Sequence, residues 1–287
     1  MSILQAAISG ALYGALYALM AGGLSLTWSM LQVINLAHFA LILLGGYLTF
    51  ELATTAGVNP LLTIVVTAPV LFVLGAAIQY AFDRFRVSEF NSLLVSFGVL
   101  IVVIQLVTNV WTADFRRMSP EINPYATQSV AIGPLIFPTP TLLGFGAAVL
   151  LAIIGHLLLE RTYPGRALRA FAQDRAIAAA FGINHVRLGI LLGGAAGASA
   201  AVAGMLFAVG QTLIPTHAFE WVGIVFAVVI LGGIGNILGT LAAGIFVGTA
   251  YSVVGLWNPA LAPVVVFSIV VLALLFRPRG LFPRGGD

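Results

Sequence analysis

Few side chains in this chain are equipped for chemistry, and most of them interrupt apolar runs. Asn35 and His38 lie three residues apart in VINLAHFALILLGGYL, residues 33–48. On an unbroken helix that spacing puts both on one face. An amide and an imidazole inside a membrane serve either to line a path or hold a helix break, or simply to hydrogen-bond neighbouring helices. A second cluster, Gly232, Gly233, Gly235 and Asn236, sits in VILGGIGNILGTLAAG, residues 229–244. It reads either as unwound backbone facing a cavity, as at transporter midplanes, or as a tight turn between two helices. It is not a dinucleotide fingerprint, because neither a strand nor a downstream acid accompanies it.

What is missing narrows the chemistry further. All twelve cationic residues are arginine, and cysteine is absent. Without lysine there is no Walker A loop and no Schiff base; without cysteine there is no thiol nucleophile, disulfide or thiolate metal site. No metal ligand set is expected. Gly197-Ala198-Ser199-Ala200-Ala201 matches a GxSx(G/A) nucleophile pattern, the remote alternative of an intramembrane serine protease. A serine nucleophile needs a base within hydrogen-bond reach, and His217 lies beyond the apolar run that holds Ser199. Ser199 is better read as small-residue packing. No Asp, Glu, Lys or Arg falls deep within an apolar run, which argues against proton coupling and against a carboxylate-pair enzyme. Gln5, Gln79, Gln105, Thr108 and Asn109 are expected to join helices. His156 is expected at an interface, and His217 with Glu220 in a solvated external connection.

The elements that must position these groups are membrane helices. The chain has 287 residues, 61% hydrophobic and 7% charged, with a mean hydropathy of +1.10. Globular domains carry about 25% charged residues, so a soluble surface is excluded and a polytopic membrane protein is implied. Continuous apolar runs, rather than alternation, select helices over a barrel. Spans are predicted over 3–28, an apolar stretch ending at Phe50, 61–81, 93–111, 142–159, 188–209, two helices within 222–255, and 260–276. The fold class is therefore all-α, with eight or nine transmembrane segments and broken helices, in one domain over 1–287. The N-terminus has no basic region ahead of its apolar run, so no cleavable signal is expected. Residues 112–141 form an external loop, with a short hairpin around Gly133-Pro134. Basic loops at 83–89 and 160–187 and a basic C-terminus place those parts in the cytoplasm.

The insert over 160–187 carries five of the twelve arginines. Pro164-Gly165 opens a helix on which Arg166, Arg169 and Gln173 share one stripe and Leu168 and Phe171 another. Asp174 caps a second short helix that Gly182 ends. This is an amphipathic element at the membrane surface, either a solvated positive-inside loop or a docking helix for a soluble partner.

GRALRAFAQD and FGIN in that insert, with the 33–48 and 229–244 stretches and the terminal LLFRPRGLFP, resemble the permease subunits of branched-chain amino-acid ABC importers. The resemblance spans nearly the whole chain in order. It departs in two places: Arg175 stands where relatives carry proline, and Phe39 where they carry glycine. It implies a non-enzymatic subunit of the bacterial inner membrane, importing branched-chain or related small amino acids, with urea, amides and aromatic acids as further substrates of such permeases. It implies a cytoplasmic coupling helix between the fifth and sixth spans, with Arg166, Leu168, Arg169, Phe171, Gln173 and Asp174 facing the ATPase. Leu168 and Phe171 would fill a groove on that partner. It implies a second homologous permease, two ATPase subunits that hold the ATP and Mg, and a periplasmic binding protein, with no cofactor in this chain. Asn35, His38, Gly232, Gly233 and Asn236 become translocation-path candidates. A stand-alone channel or facilitator is the alternative.

Overall fold

The computed structural model describes residues 2–277 and 280–282. Arg279 and Arg284, which contribute to the basic C-terminus, lie outside the described residues. An apolar run in lipid must satisfy its backbone internally, and these runs do so as helices. They are α1 (Ile3–Leu31), α2 (Ala37–Thr55), α3 (Ile64–Arg84), α4 (Glu89–Trp111), α5 (Thr139–Arg161), α8 (His185–Gly210), α9 (His217–Gly232), α10 (Ile237–Gly255) and α11 (Leu261–Phe276). Two shorter helices, α6 (Tyr163–Gln173) and α7 (Arg175–Ala180), occupy the insert between α5 and α8.

Among the described residues, seven helices are long and apolar enough to cross a membrane: α1 to α5, α8 and α10. The other two apolar helices, α9 and α11, have 16 residues each. At 1.5 Å per residue that is about 24 Å, short of the ~30 Å hydrocarbon core. The expectation of eight or nine spans is thus met by length in seven, with two shorter helices beside them.

Helices in lipid gain little from apolar burial, so close packing has to come from small residues. Two glycine seams supply it. Gly10 and Gly14 of α1 face Gly244 and Gly248 of α10, so closely that a Cβ on Gly14 would strike the Gly244 carbonyl oxygen and sit 2.9 Å from Gly248 Cα. Gly75 of α3 meets Gly193 and Gly197 of α8 in the same way. These two pairings are the most extensive in the fold, and α2 joins the second through α8. The result is an interior built on α1, α2 and α8. The outward faces of α3, α4 and α5 show Val65, Val73, Leu94, Val102, Leu150 and Leu158 to the surroundings.

The loop after α4 is tied down. Arg116 and Leu213 exchange backbone hydrogen bonds of 3.0 and 2.7 Å, and the Asn123 side chain donates to the Val209 carbonyl at 2.8 Å. Strands β1 (Ser129–Ile132) and β2 (Leu135–Pro138) form the expected hairpin, antiparallel with Ile132 opposite Leu135, and Gly133 turns it at φ +60°. Gln5 does not join two helices, as the sequence suggests. Its amide pairs with both backbone groups of Ile136, accepting at 3.1 Å and donating at 2.6 Å, and so covers one edge of β2. Gln105 and Asn109 bond each other on the exposed face of α4, and Thr108 returns to the Ile104 carbonyl. None of these three bridges helices.

Candidate functional site: two interrupted helices, a wedge helix and an apolar cavity

The first interruption separates α1 from α2. Gln32 adopts a left-handed φ of +53°, and residues 33–36 leave the helix. Their free amides need partners, and α4 provides them. Ser96 Oγ accepts from Leu36 N at 2.9 Å, and Ser92 Oγ, one turn away, accepts from Ile34 N at 3.1 Å. Asn35 turns back to accept from Ala37 N at 3.1 Å and so opens α2. Asn35 and His38 therefore do not share the face of a continuous helix; the chain breaks between them. His38 is 2% exposed, and its Nε2–H donates to the Met20 carbonyl of α1 at 2.9 Å. Ser92 and Ser96 carry no sequence signal of their own, being two small polar residues in an apolar run. Ser92→Ala with Ser96→Ala is expected to cost about 2–4 kcal/mol, because two amides lose their acceptors without gaining water. A chemical-denaturation curve of the purified double variant in detergent measures this; an unchanged midpoint would mean the break is self-supporting.

The second interruption separates α9 from α10 and is the tight-turn alternative. Gly233 and Gly235 both take φ +84°, a conformation that excludes most side chains. Asn236 caps α10 by accepting from Gly239 N at 2.9 Å. Ser25 of α1 accepts from Gly235 N at 2.9 Å. The chain end completes the turn: Leu281 N donates to the Leu231 carbonyl at 2.8 Å, and Asn236 Nδ2 donates to the Phe282 carbonyl at 2.8 Å. Both breaks are thus held by serine hydroxyls from neighbouring helices.

The insert is a wedge. Thr162 caps α6, and Gly165 lies so close to Leu158 and Leu159 that α6 folds back hard against the end of α5. Leu168 is buried with Met30 and Leu31 of α1, Val33, Phe82 of α3 and Leu192 of α8. Phe171 is buried too and stacks on the His185 ring at 5.3 Å. The expectation that Leu168 and Phe171 fill a partner's groove is therefore corrected: the amphipathic stripe is real, but its apolar face is spent on this chain. Arg166, Gln173 and Asp174 face outward, and Asp174 caps α7 by accepting from Ile177 N at 2.9 Å. Arg169 is half-buried and reaches the Glu160 carbonyl at 3.5 Å. Tyr163, Ile177 and Phe181 add exposed apolar area around α6 and α7.

Above the wedge, between α1, α5, α8 and α10, lies a cavity of about 550 Å³ lined by apolar side chains. Its lower wall includes Pro164, Gly165 and Leu168, and its deeper wall includes Gly23 and Ser199. None of Asn35, His38, Gly232, Gly233 and Asn236 lines it. A Cβ on Gly23 would fall 2.6 Å from His38 Cε1 and 2.7 Å from Ser199 Oγ, so a serine and a histidine do meet here, a pairing the sequence reading missed. The hydroxyl donates to the Ala196 carbonyl at 2.8 Å and the imidazole Nε2–H to Met20, so neither activates the other. His156 pairs with Glu160 at 3.3 Å. His217 is not a loop residue but opens α9, where it stacks on Trp221 and meets the Phe207 edge. Among the described residues no group of acids and histidines is arranged to hold a metal.

Seven membrane-length helices, interrupted helices pinned from their neighbours and a basic surface element define a multi-pass membrane protein of the transporter kind. The chain belongs to the family described as the branched-chain amino acid transport system permease component, which it matches over residues 6–276. It is similar to the high-affinity branched-chain amino acid transport system permease protein BraD of Pseudomonas aeruginosa, with 26% identity over 98% of this chain and 96% of that one. It is 24% identical to the LivH permease protein of Escherichia coli, with 98% and 96% covered. The probable LivH permease protein of Methanocaldococcus jannaschii is 28% identical, with 97% and 91% covered. No solved structure matches.

Proposed function

We propose that this chain is the transmembrane subunit of an ATP-driven importer of branched-chain or related small amino acids. It sits in the bacterial inner membrane with residues 160–187 in the cytoplasm. It works beside a second homologous permease, two ATPase subunits that hold the ATP and Mg, and a periplasmic binding protein that does most of the substrate selection. The observation that carries the reading is the two-sidedness of α6. One side is wedged by Leu168 and Phe171 beneath the ends of α1, α3 and α8, and the other presents Arg166, Gln173 and Asp174. Closure of the ATPases pushes on the polar side, and the wedge passes the push to three helix ends at once. Asn35, His38, Gly232, Gly233 and Asn236 serve as fixed supports of the two interrupted helices, with their polar groups spent on backbone partners.

The Arg166 side chain is exposed and, among the described residues, makes no hydrogen bond or ion pair, which suits it to the ATPase contact. Arg166→Glu is expected to lower uptake in the reconstituted complex by at least about tenfold, the scale of reversing an interfacial charge. The thermal midpoint of the isolated chain stays unchanged. Normal ATP-dependent uptake by the variant would remove α6 from the coupling role. Downhill flux through liposomes that contain this chain alone would favour a facilitator instead.

A further inference from the structure

The cavity above α6 lacks what an amino acid would need. Its lining offers two side-chain hydroxyls, Ser199 and Thr162, and both donate to their own helix backbone. A zwitterion brings an ammonium and a carboxylate, and burying either without a partner is strongly unfavourable. The wall is otherwise apolar, and its outer side is open: Ile154 and Leu158 of α5 and Leu191 of α8 are 40%, 53% and 54% exposed. These side chains are as open as the apolar outer faces of α3 and α4.

Size, depth and charge agree on one occupant. Along α5 the lining runs from Ala148 to Leu159 and on to Thr162. At 1.5 Å per residue that is roughly 20 Å, more than one leaflet of a ~30 Å hydrocarbon core. The volume of about 550 Å³ is that of a ligand cleft rather than a packing defect. At the end where α5 stops and α8 starts stand Arg161, next to the lining residue Thr162, and Arg187, next to the lining residue Leu188. Both are exposed, and among the described residues neither guanidinium has a hydrogen bond or ion pair. Two acids stand near this end: Glu160 is engaged by His156 at 3.3 Å, and Asp83 of α3 lies against Gly189 of α8.

We infer that this cavity binds an anionic phospholipid of the cytoplasmic leaflet, with one acyl chain between α5 and α8 and its phosphate on Arg161 and Arg187. Basic residues beside a cleft between membrane helices are the chemistry that selects anionic headgroups. The inference goes beyond the transport reading and rests on it only for placing the α5–α8 end on the cytoplasmic side. It makes α6, whose Pro164, Gly165 and Leu168 floor the cavity, sensitive to lipid composition.

The test uses the full chain in phosphatidylcholine nanodiscs containing phosphatidylglycerol with a photoreactive acyl chain. After irradiation, labelled peptides are mapped by mass spectrometry. Label is expected to concentrate on 148–159 and 188–199, to be displaced by unlabelled phosphatidylglycerol and to resist added phosphatidylcholine. Arg161→Gln with Arg187→Gln should weaken that displacement by about fivefold per charge removed. Ala195→Phe, which fills the cavity, should remove the label; the arginine pair, on the surface, gives the answer even where the filled variant does not fold. Label spread evenly over α3 and α4, equal displacement by phosphatidylcholine, or displacement by a free aliphatic amino acid would each overturn the assignment.

Discussion

Gly14→Ala destabilises the folded chain by about 3 kcal/mol or more, while Gly22→Ala, further along the same helix, makes it up to about 1 kcal/mol more stable. The two substitutions add the same methyl group to the same helix, so propensity favours both equally. They differ in what the methyl meets. At Gly14 it falls on the Gly244 carbonyl oxygen and within 2.9 Å of Gly248 Cα; at Gly22 nothing lies within 4 Å. The obstacle at Gly14 is backbone, which cannot swing aside as a side chain would. α1 and α10 must separate, and overpacking of this kind costs about 1–3 kcal/mol even where side chains can yield. Separation also forfeits dispersion contacts along the whole seam. Lipid gives no hydrophobic drive to re-form it. Unfolding followed in detergent measures both variants side by side. Equal midpoints for the two would show that the seam is not what holds α1 to α10.

The helices themselves were the most legible part of the chain. Apolar runs ended at Gly232, at Trp111 and around Arg161, close to where the helices end, because those residues are punctuation in any context. The hairpin at Gly133-Pro134 was legible for the same reason, since a glycine at positive φ is a local requirement. The site was legible only as a set of interruptions. That Asn35 lies in a break and His38 on the helix after it depends on Ser92 and Ser96, and nothing local marks those serines as partners for residues about sixty positions earlier. The meeting of His38 with Ser199 across Gly23 is likewise a product of helix packing. Gln5 was misassigned because an amide near a span end reads as interhelical glue, whereas a strand edge more than a hundred residues away claims it.

The stripe on α6 shows the limit most sharply, and it sets the second large effect. Helical periodicity separates Leu168 and Phe171 from Arg166 and Gln173, but it cannot say whether the apolar side faces a partner or the chain's own helices. Here it faces inward: both residues are 7% exposed. Leu168→Ala is therefore expected to cost the solitary chain about 2–5 kcal/mol and Phe171→Ala about 3–5 kcal/mol, the usual range for emptying a buried site. Phe171→Ala also loses its stack on His185. A groove-filling role predicts the reverse, namely an unaltered isolated chain and a weakened complex. Protease resistance of residues 160–187 in the purified subunit separates the two. The wedge predicts that either alanine variant is cut there more readily in the absence of any partner, while Arg166→Glu is cut at the parental rate. Should both alanine variants keep parental resistance and midpoint, α6 would not be anchored by its apolar face, and a push on it would have no route into α1, α3 and α8.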